Sequence, residues 1–327
     1  MDYIKFEKEL QGSEKIIILT HKNPDGDAIG STIGLKLMLR NMGYEAVVIV
    51  PNEAPSFLNW IASYKELLNF ESETAQASAK IKDADLIFCL DFNALHRIGE
   101  MGEIVGNSKA LKVLIDHHLQ PDDFADYVLS KTSASSTCEL IYEFAEGLKA
   151  TSFIDKNCAE AIYTGLITDT GSFKFPSTSS YTHTVAGALI EKGADNGKVH
   201  QLIYDSSSIS RIKVLGYCLN HMELIDDRIA YFNLSSKTQD ELGIVKGDTE
   251  GIVNYGLSIK SVNVSAFFRE EAGRIKISFR SKGDHDVNAF ARKHFDGGGH
   301  KNAAGGISED TLAQTIEKFK TCAKTFF

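Results

Sequence analysis

Four short apolar runs in the first half of the chain limit what it can fold into: Ile16–Leu19, Ala46–Val50, Leu86–Leu90 and Leu111–Ile115. Apart from Lys112 these runs are apolar throughout rather than alternating, the pattern of a strand covered on both faces. Between them lie segments of helical pattern, such as Ser31–Met42, long enough for the helix of a βαβ crossover. This rhythm predicts an α/β fold whose N-terminal domain is a mostly parallel, doubly wound sheet. Helical patterns follow at about Ser135–Leu148, Asp155–Ile167 and Ser179–Lys192, and Val199–Met222 reads as one further helix. After Asp226-Asp227 the pattern changes. Arg228–Leu234, Ser261–Phe268 and Arg274–Arg280 read as strands, with Glu271-Ala-Gly273 as a turn, and Val287–His294 and Thr311–Phe327 as helices. The expected division is a first domain over 1–190, a helical linker over 191–225 and a smaller α/β domain over 226–327.

At 327 residues the chain has room for two such domains. Its net charge of −9 argues against a general nucleic-acid coat. Between Lys260 and Gly305, nine Lys or Arg face five Asp or Glu, a local excess of +4 that suits a small anionic ligand. No apolar run approaches the roughly 20 residues of a membrane helix. The opening MDYIKFEKEL has no apolar core of a secretory signal. Five scattered cysteines without a Cys-x-x-Cys pair read as thiols in a reducing cytoplasm.

The polar residues that close these runs carry the chemistry. His21-Lys-Asn-Pro-Asp25-Gly-Asp27 follows the first run, Asp91 the third, and Asp116-His117-His118 the fourth. Asp169 ends the helical run Ala161–Thr168. Parallel strands deliver such groups to one edge of a sheet, where open α/β folds bind ligands. His21, Asp25, Asp27, Asp91, His117 and Asp169 then supply six ligands for two divalent ions, with one carboxylate as bridge. Four carboxylates roughly neutralise two such ions and repel one another without them. Oxygen and imidazole donors suit Mn²⁺ or a similar cation. Spacing does not decide whether His117 or His118 is the ligand. Read as helix caps alone, these residues would gather only by accident. Further on, Gly297, Gly298 and Gly299 let backbone N–H groups approach a phosphate, with His300 and Arg280 adding charge. A turn after Phe295 would need only one glycine. Asn288 and Arg269 are weaker candidates for the same pocket. His96, His183, His200, His221, His285 and His294, and likewise Phe57, Trp60 and Tyr255, read as surface or packing residues.

Taken together, these motifs resemble the DHH phosphoesterase family, named for the triplet seen here as Asp116-His117-His118. The match extends through Thr168-Asp169-Thr170-Gly171. Phe279-Arg280-Ser281 and Gly297–Gly305 resemble the companion DHHA1 domain. The resemblance implies that His21, Asp25 and Asp91 hold one Mn²⁺, and that Asp27, Asp91, His117 and Asp169 hold the other. It implies that Asp116 orients His117 and that His118 faces the substrate phosphate or the attacking water. Arg280, Ser281, Asn288, Gly297, Gly298, Gly299 and His300 would bind substrate. Phe92, beside the bridging aspartate, departs from the small or hydroxylated residue of many relatives. The short two-domain organisation is similar to the nano-RNase and pAp-phosphatase branch. Its members hydrolyse short oligoribonucleotides and convert adenosine 3′,5′-bisphosphate (pAp) to AMP and phosphate through a metal-bridging hydroxide. The alternatives are a cyclic-di-AMP or pApA phosphodiesterase, a RecJ-like single-strand exonuclease and, from another class, a nucleotide sensor without catalysis. The partners implied are a nucleotide or short single-stranded oligonucleotide and a second copy of the chain as homodimer, with no membrane.

Overall fold

The computed structural model describes residues 1–327 except 206 and 246 and the side chain of His300. It divides into two units, residues 1–206 and 207–327. The division falls inside the 191–225 stretch expected as linker.

The first unit opens with α1 (Tyr3–Gln11) and then builds a six-stranded sheet. Its strands are β1 (Ile16–Leu19), β2 (Ala46–Val50), β3 (Leu68–Asn69), β4 (Leu86–Leu90), β5 (Leu111–Asp116) and β6 (Tyr127–Ser130). The order is β3-β2-β1-β4-β5-β6 and every pairing is parallel. The order therefore reverses between β1 and β4, the switch point at which such sheets open a crevice at their strand C-termini. Crossover helices are α2 (Gly26–Asn41), α3 (Thr74–Lys82) and α4 (Met101–Asn107). After the sheet come α5 (Thr137–Gly147), α6 (Lys156–Asp169), α7 (Ser180–Glu191) and α8 (Asn196–Tyr204).

Successive strand residues face opposite sides, and the core divides accordingly. Ile16, Ile18, Val48, Phe88 and Val113 pack with α1, α2, α5 and α6, whereas Ile17, Leu19, Ile49, Ile87 and Leu114 pack with α3 and α4. Phe6 of α1 meets Phe88 and Phe144 edge-on, with centroids 6.0 and 5.6 Å apart. Each of these wholly buried rings contributes roughly 1.5–3 kcal/mol.

The contact between α2 and α6 has a specific cause. Gly26, Gly30 and Gly34 lie one turn apart along α2. A β-carbon at Gly30 would sit 2.6 Å from the Ala161 carbonyl, and one at Gly26 would collide with Thr168. Gly165 on α6 is equally constrained, since its β-carbon would lie 2.8 Å from Asp27 Oδ1. Only hydrogen at these positions lets the two helices approach so closely.

The second unit contains α9 (Ile209–Asn220), β7 (Glu223–Ile225), β8 (Ile229–Leu234), α10 (Ser236–Leu242), α11 (Ile252–Gly256), β9 (Val264–Glu271), β10 (Arg274–Ser281), α12 (Val287–His294), β11 (Gly298–His300), β12 (Ala303–Ser308) and α13 (Leu312–Phe326). Its sheet has the order β11-β12-β10-β9-β8-β7 and is antiparallel apart from the β8–β9 pair. Ala272 and Gly273, both at positive φ (52° and 80°), make the two-residue β9–β10 turn. Phe268, Phe279, Phe290 and Phe319 fill its core. The single helix expected over Val199–Met222 is two, α8 and α9. Ser208 starts the second of them, its hydroxyl oxygen accepting from the Arg211 amide as the cap of α9.

Candidate metal centre

Every acid and imidazole assigned to metal from the sequence converges at the β1/β4 switch point. His21 leaves the end of β1, and its Nδ1 donates to the Lys22 carbonyl at 2.9 Å. That bond fixes the tautomer and leaves Nε2 toward the carboxylates. The following turn is pinned by Asn52, whose side chain accepts from the Asn23 amide at 2.6 Å and donates to Asn23 Oδ1 at 3.1 Å. Asp25 caps α2, with Oδ1 accepting from the amides of Asp27 and Ala28. Asp25 is thus both the cap of α2 and a candidate ligand.

Asp91 lies at the centre. Its Oδ2 is 3.4 Å from His21 Nε2, and its Oδ1 is 3.6 Å from His117 Nε2. His21, Asp25 and Asp91 form one group whose ligand atoms lie within 4.8 Å of one another; Asp27, His117 and Asp169 form a second. One carboxylate thus turns an oxygen to each group. Asp91 is almost wholly buried and holds a left-handed backbone, φ 63°, a conformation that costs a non-glycine residue roughly 1–3 kcal/mol.

Asp27 sits against the N-terminus of α5. Its oxygens accept from the amides of Thr137 at 2.6 Å and Cys138 at 2.9 Å, while Thr137 Oγ1 donates to Asp91 Oδ1 at 2.9 Å. Sequence reasoning missed Thr137 and Cys138. Backbone amides leave no mark in a sequence, although Ser136 and Glu139 do announce a helix start. Burial, and the nearby charge of Asp27, push the Cys138 thiol well above its usual range, so it serves packing rather than chemistry.

Electrostatics describe a cluster short of positive charge. Burial, then Asp91 and Asp169, drive Asp27 well above the carboxylate range, and burial raises Asp169 to about 7. Burial disfavours charge on His21 and Asp91 too, but their mutual contact outweighs it. His21 rises to about 9 and Asp91 falls to about 2.

The resemblance implied that Asp116 orients His117. The structure instead pairs Asp116 with His118: Oδ1 lies 2.7 Å from His118 Nδ1 and Oδ2 accepts from the His118 amide at 3.1 Å. The chain turns immediately after β5, so the carboxylate reaches two residues ahead. His117 Nε2 instead faces Asp27, Asp91 and Asp169 at 3.9, 3.6 and 3.4 Å. Phe92, the departure from the family pattern, is fully buried and stacks on Phe124, so packing absorbs it.

The remaining candidates lie in the second unit, most of them engaged within it. Ser281 donates to the His285 carbonyl and accepts from Asn302. Asn288 Oδ1 accepts from Arg292 and from the Gly299 amide. Arg269 pairs with Glu271 at 2.9 Å. The glycine triplet enters β11 and has steric reasons of its own. A β-carbon at Gly297 would collide with the Gly305 carbonyl, and one at Gly299 would lie 2.5 Å from that of Ala303. Gly298 carries no such clash. The backbone of His300 pairs with Ala303, which pairs with Arg280; the His300 side chain lies outside the described residues. Arg280 is the exception, half-buried with its guanidinium lowered by burial and its Nη1 donating to the Phe279 carbonyl. Among the described residues no acidic group lies within ion-pair distance of it.

A doubly wound parallel sheet with two His–Asp groups sharing one carboxylate at its switch point defines the class: the chain belongs to the DHH family. Residues 15–166 match the DHH family N-terminal domain and residues 227–327 the DHHA1 domain. Among individual relatives, it is 30% identical over 314 residues to the bifunctional oligoribonuclease and PAP phosphatase NrnA of Bacillus subtilis (strain 168), covering 95% of each chain. It is also 30% identical to the cyclic-di-AMP phosphodiesterase GdpP of that organism, over 96% of its own length and 48% of that protein. The crystal structure of an exopolyphosphatase-related protein from Bacteroides fragilis matches with a TM-score of 0.97 at 40% identity, covering 99% of this chain and 96% of that one. Among the described residues no helix is long and apolar enough to cross a membrane.

Proposed function

We propose that this chain is a two-metal phosphoesterase that hydrolyses short oligoribonucleotides and converts pAp to AMP and phosphate, with Mn²⁺ as its working ion. The observation that carries the reading is Asp91, buried with one oxygen toward each of two ligand groups. The donor set fits. It consists of carboxylate oxygens and imidazole nitrogens, the ligands of a hard or borderline divalent cation, and its aspartates resist ionising together. His21, Asp25 and Asp91 would hold one ion, and Asp27, Asp91, His117 and Asp169 the other. Bound there, the ions supply a water acidified toward neutral pH and offset charge on the phosphoryl oxygens.

The protein's own groups do the rest. Thr137 and the α5 amides orient Asp91 and Asp27, the supporting contacts that fix ligand geometry. Asp116 holds the His118 ring by Nδ1, so His118 acts on the phosphoryl group or its water through a set orientation. Arg280, a half-buried cation with no acidic group at ion-pair distance among the described residues, is assigned to an anionic group of the substrate. The substrate class is supported by the full-length likeness to NrnA. Five cysteines, all free thiols, agree with a cytoplasmic setting.

A cyclic-di-AMP or linear pApA phosphodiesterase is the second reading, favoured by the likeness to GdpP, though over only half of that protein. Turnover of pAp, pApA, cyclic-di-AMP and a five-nucleotide RNA, side by side with Mn²⁺, separates the two. The proposal expects pAp and the short RNAs to be consumed and the cyclic dinucleotide to be spared. Hydrolysis of cyclic-di-AMP with pAp untouched would overturn it.

A further inference from the structure

Asp169 reaches the metal centre from the last residue of α6, where the chain is least regular. Gly171, Ser172 and Phe173 follow it with φ of 55°, 59° and 64°, three consecutive left-handed residues of which two are not glycine. A segment so strained keeps one geometry only if its surroundings impose it. Within the first unit those surroundings include, besides α6 itself, α8 and α7, which lie outside every motif that the sequence singled out. Tyr204 of α8 donates through its hydroxyl to the Ile167 carbonyl at 2.9 Å, the same oxygen that takes the Ser172 amide at 2.8 Å. One turn earlier, His200 Nε2 lies 3.2 Å from Ser172 Oγ. Its Nδ1 faces the Asn196 carbonyl at 2.8 Å, and a carbonyl can only accept. In the neutral ring Nε2 is therefore the acceptor and Ser172 donates to it. Phe173 stacks on His183 of α7, with centroids 5.1 Å apart and planes inclined by 28°.

We infer that His200 and Tyr204 are positioning residues for metal binding. They grip the chain at Ile167 and Ser172, on either side of Asp169, and set where its carboxylate stands relative to Asp27 and His117. The inference rests on the two-metal reading but concerns residues outside the proposed ligand groups. The two side chains are four residues apart on one helix face. They act at two points five residues apart, on either side of the turn that carries Asp169.

The test is titration of the full-length chain with Mn²⁺, read by the EPR signal of the free ion. The parent is compared with Tyr204→Phe, His200→Ala, His200→Gln and Tyr204→Phe/His200→Ala, each also on an Asp169→Asn background. The expected result is that the double variant weakens one of the two Mn²⁺ ions about tenfold or more and leaves the other within twofold. His200→Gln, whose amide oxygen can accept from Ser172, should bind more tightly than His200→Ala. On the Asp169→Asn background the clamp substitutions should cost nothing further, because the carboxylate they position is gone. Unchanged affinity in the double variant, or an equal loss with and without Asp169, would overturn the clamp. A parent that binds no Mn²⁺ would overturn the two-metal reading and the clamp with it, whereas full binding by parent and double variant alike would remove the clamp alone. Thermal unfolding of the same proteins guards against misfolding: a binding loss counts only if Asp169→Asn, with equal stability, abolishes the difference.

Discussion

Asp91 combines three properties that rarely coincide in one side chain: burial, a left-handed backbone and oxygens turned to two different groups. Asn tolerates left-handed φ and matches the shape, so Asp91→Asn separates charge from fold. Its hydrolytic activity should fall by more than the roughly 10–100-fold that loss of a supporting contact costs, while circular dichroism stays that of the parent. Thr137→Val removes only the hydroxyl that donates to Asp91. It should lower activity or Mn²⁺ affinity about 10–100-fold; unchanged kinetics would show that the contact is incidental. At this scale the sequence marks candidates by their side-chain chemistry, and the structure brings the marked groups together. His21, Asp25, Asp27, Asp91, His117 and Asp169 could all be named because imidazole and carboxylate have few reasons to end buried strands and helices. The partners of Asp27 could not, being amides of Thr137 and Cys138 that any residue would supply. Nor could the choice of Asp116 for His118 over His117, which depends on how the chain turns after β5.

The α2–α6 contact shows how elements deliver these residues. Gly26, Gly30 and Gly34 on one helix and Gly165 on the other bring Asp27 at one helix start into the same pocket as Asp169 at the other's end. Gly165→Ala would press a methyl group on Asp27 and Cys138. It should cost about 1–3 kcal/mol in urea unfolding and weaken Mn²⁺ binding as well. A loss of stability with metal binding intact would mean that Asp27 relaxes freely. Four of the six parallel strands were legible because short, nearly all-apolar runs spaced by helical patterns fit strands buried on both faces. β3, two residues long, and β6, with Val128 exposed, carry too little pattern to be seen. The glycine triplet taught the opposite lesson. A ligand loop and a tight pairing of β11 on β12 ask for the same residue, and local sequence does not distinguish a phosphate from a neighbouring carbonyl.

For the whole molecule, the aspartate cluster makes stability depend on pH and on metal. Asp27 and Asp169 hold their protons to higher pH in the folded chain than in the unfolded one, as His21 does. The folded state then binds more protons between about pH 4 and 9, and stability falls as pH rises through that window. Asp91, lowered to about 2, opposes this only in stronger acid, between its folded value and the ordinary carboxylate range. The metal-free chain should thus lose Tm steadily from pH 5 to 8 in the transition of the unit that carries the aspartates. Saturating Mn²⁺, which replaces those protons, should raise that transition and flatten its slope. At a hundred times Kd, an ion that binds only the folded state adds about 2.7 kcal/mol. A Tm that climbs toward pH 8 without metal would contradict the charge balance described for the site.

The most direct measurement is the number of Mn²⁺ ions bound per chain at neutral pH, by equilibrium dialysis with elemental analysis, for the parent and Asp91→Asn. Two ions are expected in the parent and loss of both tight sites in the variant, because a single carboxylate serves both. One ion per parent chain, or a variant that still holds two, would contradict a centre built on the shared Asp91.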